Sequence, residues 1–194
     1  MITDIKTKSI YAPQKAQIVR AIDATMRERH FTLKLTDGKK MAFGPGQILE
    51  VSLFGYGEIP IGFASSPTRE RTFDIVVRTV GRVSTAINKL EVGDYLFVRG
   101  PLGRGLDLNK LRGNNILIVA GGIGLCPTRS FIQYIMDRRS EFKNFTIFYG
   151  AQIPSAQIFK DDINIWRKSE AVRYLETVDR VGNDDGEWKG NVGV

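Results

Sequence analysis

Near the middle of the chain runs Ile116-Leu117-Ile118-Val119-Ala120-Gly121-Gly122-Ile123-Gly124-Leu125-Cys126-Pro127, in which a run of β-forming residues leads into a glycine-rich turn. An amphipathic segment, residues 128–139, follows this turn. A buried strand, a glycine turn and a helix start, in that order, present free backbone N–H groups that can bind a phosphate. The spacing Gly-Gly-x-Gly-x-x-Pro is not the G-x-G-x-x-G fingerprint. The pattern therefore predicts a dinucleotide site, with an ordinary turn at a strand end as the open alternative.

The composition predicts a soluble, cytoplasmic protein with a substantial core. The chain has 194 residues, of which 42% are hydrophobic. No apolar run approaches the roughly 20 residues that cross a bilayer. The single cysteine, Cys126, excludes an internal disulfide. It also provides too few ligands for a metal site or an iron–sulfur cluster, so we expect no metal ligands in this chain.

The charge of the chain is basic, with 28 Lys and Arg against 21 Asp and Glu and a net charge of +7. The basic residues are spread along the sequence and form no compact run interleaved with aromatic residues, as nucleic-acid binding would require. We therefore expect no nucleic-acid partner, and we attribute the charge to solubility or to anionic cofactors.

The first half of the chain has the pattern of an antiparallel barrel. Short apolar runs are separated by turn signals such as Asp37-Gly38 and Gly93-Asp94. The predicted strands are residues 16–20, 31–35, 48–53, 73–77 and 95–98. One helix, residues 84–90 with Ser84 as its N-cap, is predicted to cover the barrel.

The second half alternates between strands and helices, which predicts a parallel sheet. The predicted elements are strands 116–119, 145–149 and 172–176 and helices 127–139 and 155–168. Three strands are few for such a domain, so we expect it to be incomplete at its C-terminus. Either the polypeptide is truncated or a partner covers the open edge of the sheet. The predicted domains are residues 1–108 and 109–194.

Several short segments, taken together, resemble the ferredoxin–NADP reductase superfamily. The likeness is greatest to its electron-transfer subunits: the sulfhydrogenase gamma subunit, the anaerobic sulfite reductase B subunit and the dihydroorotate dehydrogenase electron-transfer subunit. The segments are residues 45–51, 64–68, 80–86, 100–103, 121–125 and 149–151. The resemblance implies an antiparallel Greek-key barrel that binds FAD, followed by a parallel-sheet domain that binds NAD(P)H.

The resemblance assigns the flavin pyrophosphate to the start of the predicted capping helix. The residues are Gly81, Arg82, Val83, Ser84 and Thr85. Backbone N–H groups, two hydroxyls and the positive end of the helix can neutralise the phosphates there. Arg82 can add a charge-assisted hydrogen bond or can point to solvent.

For the flavin ring, the superfamily has an Arg-x-Tyr-Ser type motif, which this chain lacks. The aligned stretch is residues 59–66, in which the backbone of Gly62, Phe63 and Ala64 is expected to line the ring. Ser65 and Ser66 are candidate hydrogen-bond partners of the flavin, and a polar turn before Pro67 is the alternative. Arg78 is a further candidate for contact with the flavin edge. The alternative is that Arg78 is an ordinary exposed arginine on a strand.

For NAD(P)H, the implied residues are Gly121, Gly122, Gly124, Leu125, Cys126 and Pro127. The glycines permit close approach of the phosphates, and Pro127 suits a first helical turn. The Cys126 thiol is either a small buried filler or, at a helix N-terminus, a group with a lowered pKa. Gln152 stands where relatives often have arginine near the adenosine ribose, so NADH and NADPH are not distinguished.

The function implied is transfer of electrons from NAD(P)H through FAD to an iron–sulfur centre, within a complex of redox partner subunits. Because the cofactors perform the chemistry, no catalytic side chain is expected, and His30 is interpreted as structural. Relatives continue into a cysteine group that binds a [2Fe-2S] cluster, which here would belong to a missing segment or a partner. A stand-alone NAD(P)H-flavin reductase and a non-catalytic assembly module are the alternatives.

Overall fold

The computed structural model describes residues 11–182 and 187–193. Residues 1–10, which the predicted barrel domain includes, and Val194 lie outside this part of the chain. The strands are β1 (Gln14–Asp23), β2 (Glu28–Leu35), β3 (Ile48–Leu53), β4 (Gly57–Gly62), β5 (Phe73–Arg78), β6 (Tyr95–Leu102), β7 (Ile116–Gly121), β8 (Phe145–Ala151), β9 (Arg173–Val178) and β10 (Asn191–Val192). The helices are α1 (Arg82–Ile87), α2 (Leu108–Leu111), α3 (Leu125–Asp137) and α4 (Lys160–Lys168).

The first half forms a six-stranded antiparallel sheet in the order β4-β3-β6-β1-β2-β5. Its two ends, β4 and β5, lie beside each other, so the sheet is a nearly closed barrel. Alternating residues such as Leu49 and Val51 of β3 fill its interior. The non-sequential strand order confirms the predicted Greek-key barrel.

The strand β4 is absent from the sequence-based prediction. Its sequence, Gly57-Glu58-Ile59-Pro60-Ile61-Gly62, contains a proline and ends in glycine, which argues against a central strand. In the structure β4 pairs only with β3, with Pro60 opposite Glu50. An edge strand tolerates proline because one side of its backbone needs no hydrogen-bonded partner.

The second half forms a parallel sheet in the order β10-β9-β8-β7, which confirms the predicted parallel arrangement. The expectation of only three strands is wrong, because β10 pairs with β9 through Asn191 opposite Thr177. Two residues carry too little apolar periodicity to predict a strand. A hydrogen bond of 2.5 Å from Thr177 Oγ1 to the Gly193 carbonyl helps to hold β10 in place.

The start of α1 differs from the prediction. Gly81, and not Ser84, is the N-cap, and Ser84 is the third residue of the helix. The Ser84 hydroxyl reaches back to accept hydrogen bonds from the amides of Val80 and Gly81, each at 3.0 Å. This backward contact is the one that the third residue of a capping box makes, which explains the misplaced boundary.

The other helix boundaries also shift. The helix predicted over residues 127–139 is α3, Leu125–Asp137. The one predicted over residues 155–168 is shorter, because Phe159 takes a left-handed backbone conformation (φ 57°) directly before α4. A separate 3₁₀ turn, Pro154–Ala156, precedes it. The short α2 was not predicted.

The barrel and the parallel sheet share a buried interface. On the outer face of the barrel, His30 of β2 and Val76 of β5 lie opposite each other and are both buried. Val76 packs in the apolar cluster of the second half. The inward residues of β7 are buried, whereas Leu117 and Val119, on its other face, are each 65% exposed. Across residues 11–182 and 187–193, no helix is long and apolar enough to cross a membrane.

Candidate functional site

The strand β4 connects the two candidate phosphate-binding turns. At its start, a Cβ placed on Gly57 would lie 3.4 Å from Cγ2 of Val83 in α1. At its end, a Cβ placed on Gly62 would lie 3.0 Å from Cβ of Pro127 in α3. A strand of this length spans about 17 Å between its first and last residues. The structure thus brings Gly62, Val83 and Pro127, all predicted site residues, to the two ends of one strand.

The turn before α1 leaves backbone amides free at the helix start. The Ser84 hydroxyl accepts two amide hydrogen bonds and donates one of 3.1 Å to the Gly81 carbonyl. These contacts use both acceptor positions and the one donor of the hydroxyl. The Ser84 hydroxyl therefore supports the turn and is not available to bind the phosphate as predicted. The amides of Arg82, Val83 and Ser84 have no partner within the helix. A Cβ on Gly81 would meet nothing within 4 Å, so open space lies in front of this turn.

An open cavity of about 580 Å³ lies beside α1. Its lining residues are Leu53, Phe54, Tyr56, Arg82, Thr85, Ala86, Lys89 and Leu90. The Arg82 guanidinium donates a 2.9 Å hydrogen bond to the Tyr56 carbonyl, so it is fixed at the cavity wall. Phe54 is 77% exposed and contacts Phe97 edge to face. The cavity therefore combines cationic groups with an exposed aromatic ring.

The segment after β4 uses its side chains inside the protein. The Phe63 ring stacks on Phe43 with a centroid distance of 3.7 Å. The Ser65 hydroxyl accepts the Asp74 amide at 2.8 Å, and the Ser66 hydroxyl lies 2.8 Å from Oγ1 of Thr68. These contacts match the polar-turn alternative for both serines. The Ala64 amide also donates to the Asp74 carbonyl at 2.8 Å, and residues 63–66 are each at most 1% exposed. Among residues 62–66, only Gly62 keeps exposed backbone that a flavin could contact.

Arg78 is engaged by a buried carboxylate. Its Nε pairs with Oε1 of Glu28, whose side chain is almost completely buried, while the arginine side chain is 37% exposed. Burying a carboxylate costs free energy unless a cation compensates its charge. Arg78 therefore has a structural role, which is to compensate the charge of Glu28. Its contact with a flavin stays a prediction.

The glycine turn opens α3. Gly121 ends β7, residues Gly122–Gly124 form a 3₁₀ turn, and Gly122 has a positive φ of 50°. A Cβ on Gly121, Gly122 or Gly124 would meet nothing within 4 Å. The Tyr149 hydroxyl donates a long 3.4 Å hydrogen bond to the Gly122 carbonyl and so supports the turn from β8. The turn therefore fits a dinucleotide, because its backbone is open to close approach.

The first turn of α3 contains two buried predicted residues. Leu125 is fully buried and Cys126 is 4% exposed. Burial and the nearby charge of Glu28 raise the pKa of the Cys126 thiol to about 12. The structure therefore favours the buried-filler alternative over a reactive thiolate.

Cys126 is expected to be inert in the folded protein. At pH 8 a thiol with a pKa of about 12 is almost entirely protonated. We expect alkylation by iodoacetamide to be at least about 100-fold slower in the native protein than in urea-unfolded protein. Mass spectrometry of timed samples measures this ratio. Equal rates in both states would contradict the buried position.

A group of charged residues that the sequence analysis missed lies where the two halves meet. Asp74 of β5 accepts hydrogen bonds from Thr32 Oγ1 at 2.8 Å and Arg129 Nη1 at 3.1 Å. His30 Nε2 lies 3.1 Å from the same carboxylate. Although burial opposes ionisation, His30, Thr32 and Arg129 together hold the Asp74 pKa at about 2. The missed signal was a charged residue inside an apolar run, at Asp74; Arg129, between Thr128 and Ser130, gave no such signal.

In residues 11–182 and 187–193, no group of three or more His, Cys, Asp and Glu side chains is arranged to hold a metal ion.

Comparisons with known proteins give both halves a family. The family model "Oxidoreductase FAD-binding domain" matches residues 15–105, and "Oxidoreductase NAD-binding domain" matches residues 118–194. The sulfhydrogenase 2 gamma subunit of Pyrococcus furiosus is 36% identical over 79% of this chain and 54% of its own length. The probable dihydroorotate dehydrogenase B electron-transfer subunit of the same organism is 31% identical over 77% of this chain and 51% of its own.

The chain spans about half the length of these curated relatives. Among solved structures, the ferredoxin reductase of carbazole 1,9a-dioxygenase superposes with a TM-score of 0.76. That likeness covers 94% of this chain and 54% of the other at 22% identity, and it concerns the fold. The barrel, the parallel sheet and the two domain matches together place this chain in the ferredoxin–NADP reductase-like superfamily of FAD- and NAD-binding oxidoreductases.

Proposed function

We propose that this chain is the nucleotide-binding part of an electron-transfer subunit, which takes electrons from NAD(P)H and passes them through FAD to an iron–sulfur centre or partner subunit. The observation that carries the proposal is the pair of glycine turns, each facing open space, at the two ends of β4. The domain matches support the same assignment of one nucleotide to each half. We place the domain boundary between residues 108 and 109.

The FAD would lie along β4. The amides of Arg82, Val83 and Ser84 would bind its pyrophosphate, with the Thr85 hydroxyl beside them. Lys89 adds positive charge to the cavity at α1, where the exposed Phe54 ring offers an apolar face to the adenine. Of the predicted ring-lining residues Gly62, Phe63 and Ala64, the partly exposed Gly62 would contact the isoalloxazine ring, with the two buried residues behind it and Arg78 at the ring edge. When bound, FAD supplies the exchange between hydride transfer and single-electron transfer.

The NAD(P)H would bind at the glycine turn. The amides around Gly121, Gly122 and Gly124 and the positive start of α3 would neutralise its pyrophosphate. Because Pro127 contacts Gly62, a dinucleotide at this turn would lie next to the flavin segment. The work of the protein is then to align two rings and exclude water. No side chain has to act as an acid or a base.

The named relatives are subunits, which supports partner subunits for this chain as well. We propose that any [2Fe-2S] cluster lies in such a partner or in a further segment. A single free, buried cysteine is compatible with a cytoplasmic location.

The test begins with the colour of the purified protein. Released flavin is identified by chromatography, and the protein is then titrated anaerobically with NADH and with NADPH while the flavin absorbance is followed. We expect FAD, and bleaching by at least one of the two nucleotides. Colourless protein that does not bind added FAD would contradict the proposal and favour the alternative of a non-catalytic assembly module. Rapid turnover with free flavin and no partner chain would instead favour a stand-alone reductase.

A further inference from the structure

One face of α3 is hydrogen-bonded to the chain that follows β4. Arg129 Nη1 donates to the Ala64 carbonyl at 2.6 Å, and Gln133 Oε1 accepts the Ser66 amide at 3.0 Å. Asp137 Oδ2 accepts the Thr68 hydroxyl at 2.6 Å. The three side chains of α3 recur at intervals of four residues, and their partners recur at intervals of two. We call Arg129, Gln133 and Asp137 the α3 seam.

The spacing of the seam follows from the geometry of the helix. Residues four apart lie on one face of an α-helix, and eight residues of helix rise about 12 Å. Their partners lie on a segment that ends in a turn, which includes Pro67 and Thr68 and has a 3.2 Å hydrogen bond from the Arg69 amide to the Ser66 carbonyl. This turn places the Thr68 hydroxyl against Asp137, the last residue of the helix face. The three contacts are therefore made by one continuous face of α3.

The seam is anchored most firmly at Arg129, which lies nearest the glycine turn. Its side chain is only 10% exposed. Besides the Ala64 carbonyl, the guanidinium contacts Asp74 of the barrel and, through Nε, Asp162 of α4. Its Cζ lies 4.3 Å above the ring of Phe159. A planar guanidinium can make these contacts in several directions at once, whereas a lysine ammonium lacks the fork geometry.

The same helix therefore begins at the proposed nicotinamide turn and holds the proposed flavin segment. Resting on the proposed function, we infer that Arg129 and Gln133 are positioning residues: they fix the backbone of residues 62–66, and thereby the flavin, relative to NAD(P)H. They touch neither nucleotide in this scheme. They act through the Ala64 carbonyl and the Ser66 amide. The remaining member, Asp137, is exposed and holds the end of the segment.

The seam is tested first without any nucleotide. Arg129→Lys keeps a cation beside the partly buried carboxylates of Asp74 and Asp162, and Gln133→Ala removes one acceptor from a partly exposed position. Hydrogen exchange with mass spectrometry is recorded on the full chain. We expect amides in residues 62–68 to exchange about tenfold faster in each variant. Arg138→Lys, at an exposed arginine beside the same helix end, serves as the matched control and should not change this segment.

The flavin readouts then separate positioning from stability. Both variants should bind FAD about fivefold to tenfold more weakly and shift the visible absorption band of the bound flavin, which a purely structural loss would leave in place. Unchanged exchange in residues 62–68 would overturn the inference. Faster exchange with wild-type FAD affinity and spectrum would overturn it as well. If wild-type protein binds no FAD, the proposed function fails, and the exchange measurement still decides whether α3 orders the segment.

Discussion

Replacing Gly124 with leucine is expected to weaken NAD(P)H binding about 100-fold, or about 2.7 kcal/mol, without changing FAD binding. Gly124 has right-handed helical angles (φ −59°, ψ −18°), which leucine adopts readily. A Cβ at this position would meet nothing within 4 Å, so the fold can accept the new side chain. That side chain would project into the space through which a pyrophosphate reaches the amides at the start of α3. Titration of FAD-loaded protein with NADH and NADPH measures the effect.

The matched control is the equivalent change at the other turn. Gly81 has an extended backbone, and a Cβ on it would also meet nothing within 4 Å. Gly81→Leu is expected to weaken FAD binding at least tenfold while its thermal unfolding stays close to that of the wild type. If Gly124→Leu loses NAD(P)H affinity only and Gly81→Leu loses FAD affinity only, one nucleotide is assigned to each turn. If Gly124→Leu bound NADH as tightly as the wild type, the glycine turn would not be the dinucleotide site.

The sequence predicted those parts of the fold that depend on local apolar periodicity. The alternation in residues 48–53 and the apolar run at residues 116–119 each bury one face of a strand, and both strands are found. The glycines at residues 121–124 identified a turn because glycine permits both the positive φ of Gly122 and open access to the backbone. These signals lie within short segments of sequence, so they can be recognised without knowledge of the tertiary structure.

The parts that were missed depend on tertiary partners. β4 is a strand because β3 supplies its hydrogen bonds, whereas its own sequence contains Pro60. The helix before Lys168 is shortened by the left-handed conformation of Phe159, whose ring packs against Arg129 and His30. The predicted flavin contacts of Ser65 could not be weighed from sequence, because the partner of its hydroxyl, the Asp74 amide, lies across the segment. Long-range partners of polar groups leave no periodic pattern.

Asp74→Asn is expected to lower the free energy of unfolding by about 3 kcal/mol at pH 7, the cost typical of breaking a buried ion pair. The change removes the charge that faces Arg129 and His30 and leaves the buried guanidinium with Asp162 as its remaining carboxylate. Urea unfolding followed by circular dichroism measures the difference. Asp161→Asn, at an exposed position in the first turn of α4, is the control and should change stability by no more than about 0.5 kcal/mol.

The effect of Asp74 should also depend on pH, with a sign that follows from its pKa. The folded protein holds this pKa at about 2, below the ordinary value of 3.8, so ionised Asp74 stabilises the fold. A depression of this size corresponds to about 2 kcal/mol, present in full above pH 5 and lost as the pH falls through 4 towards 2. The stability difference between wild type and Asp74→Asn should therefore shrink between pH 5 and pH 3. A difference that stayed constant over this range, or one below about 1 kcal/mol at pH 7, would show that the charge cluster does not hold the two halves of the protein together.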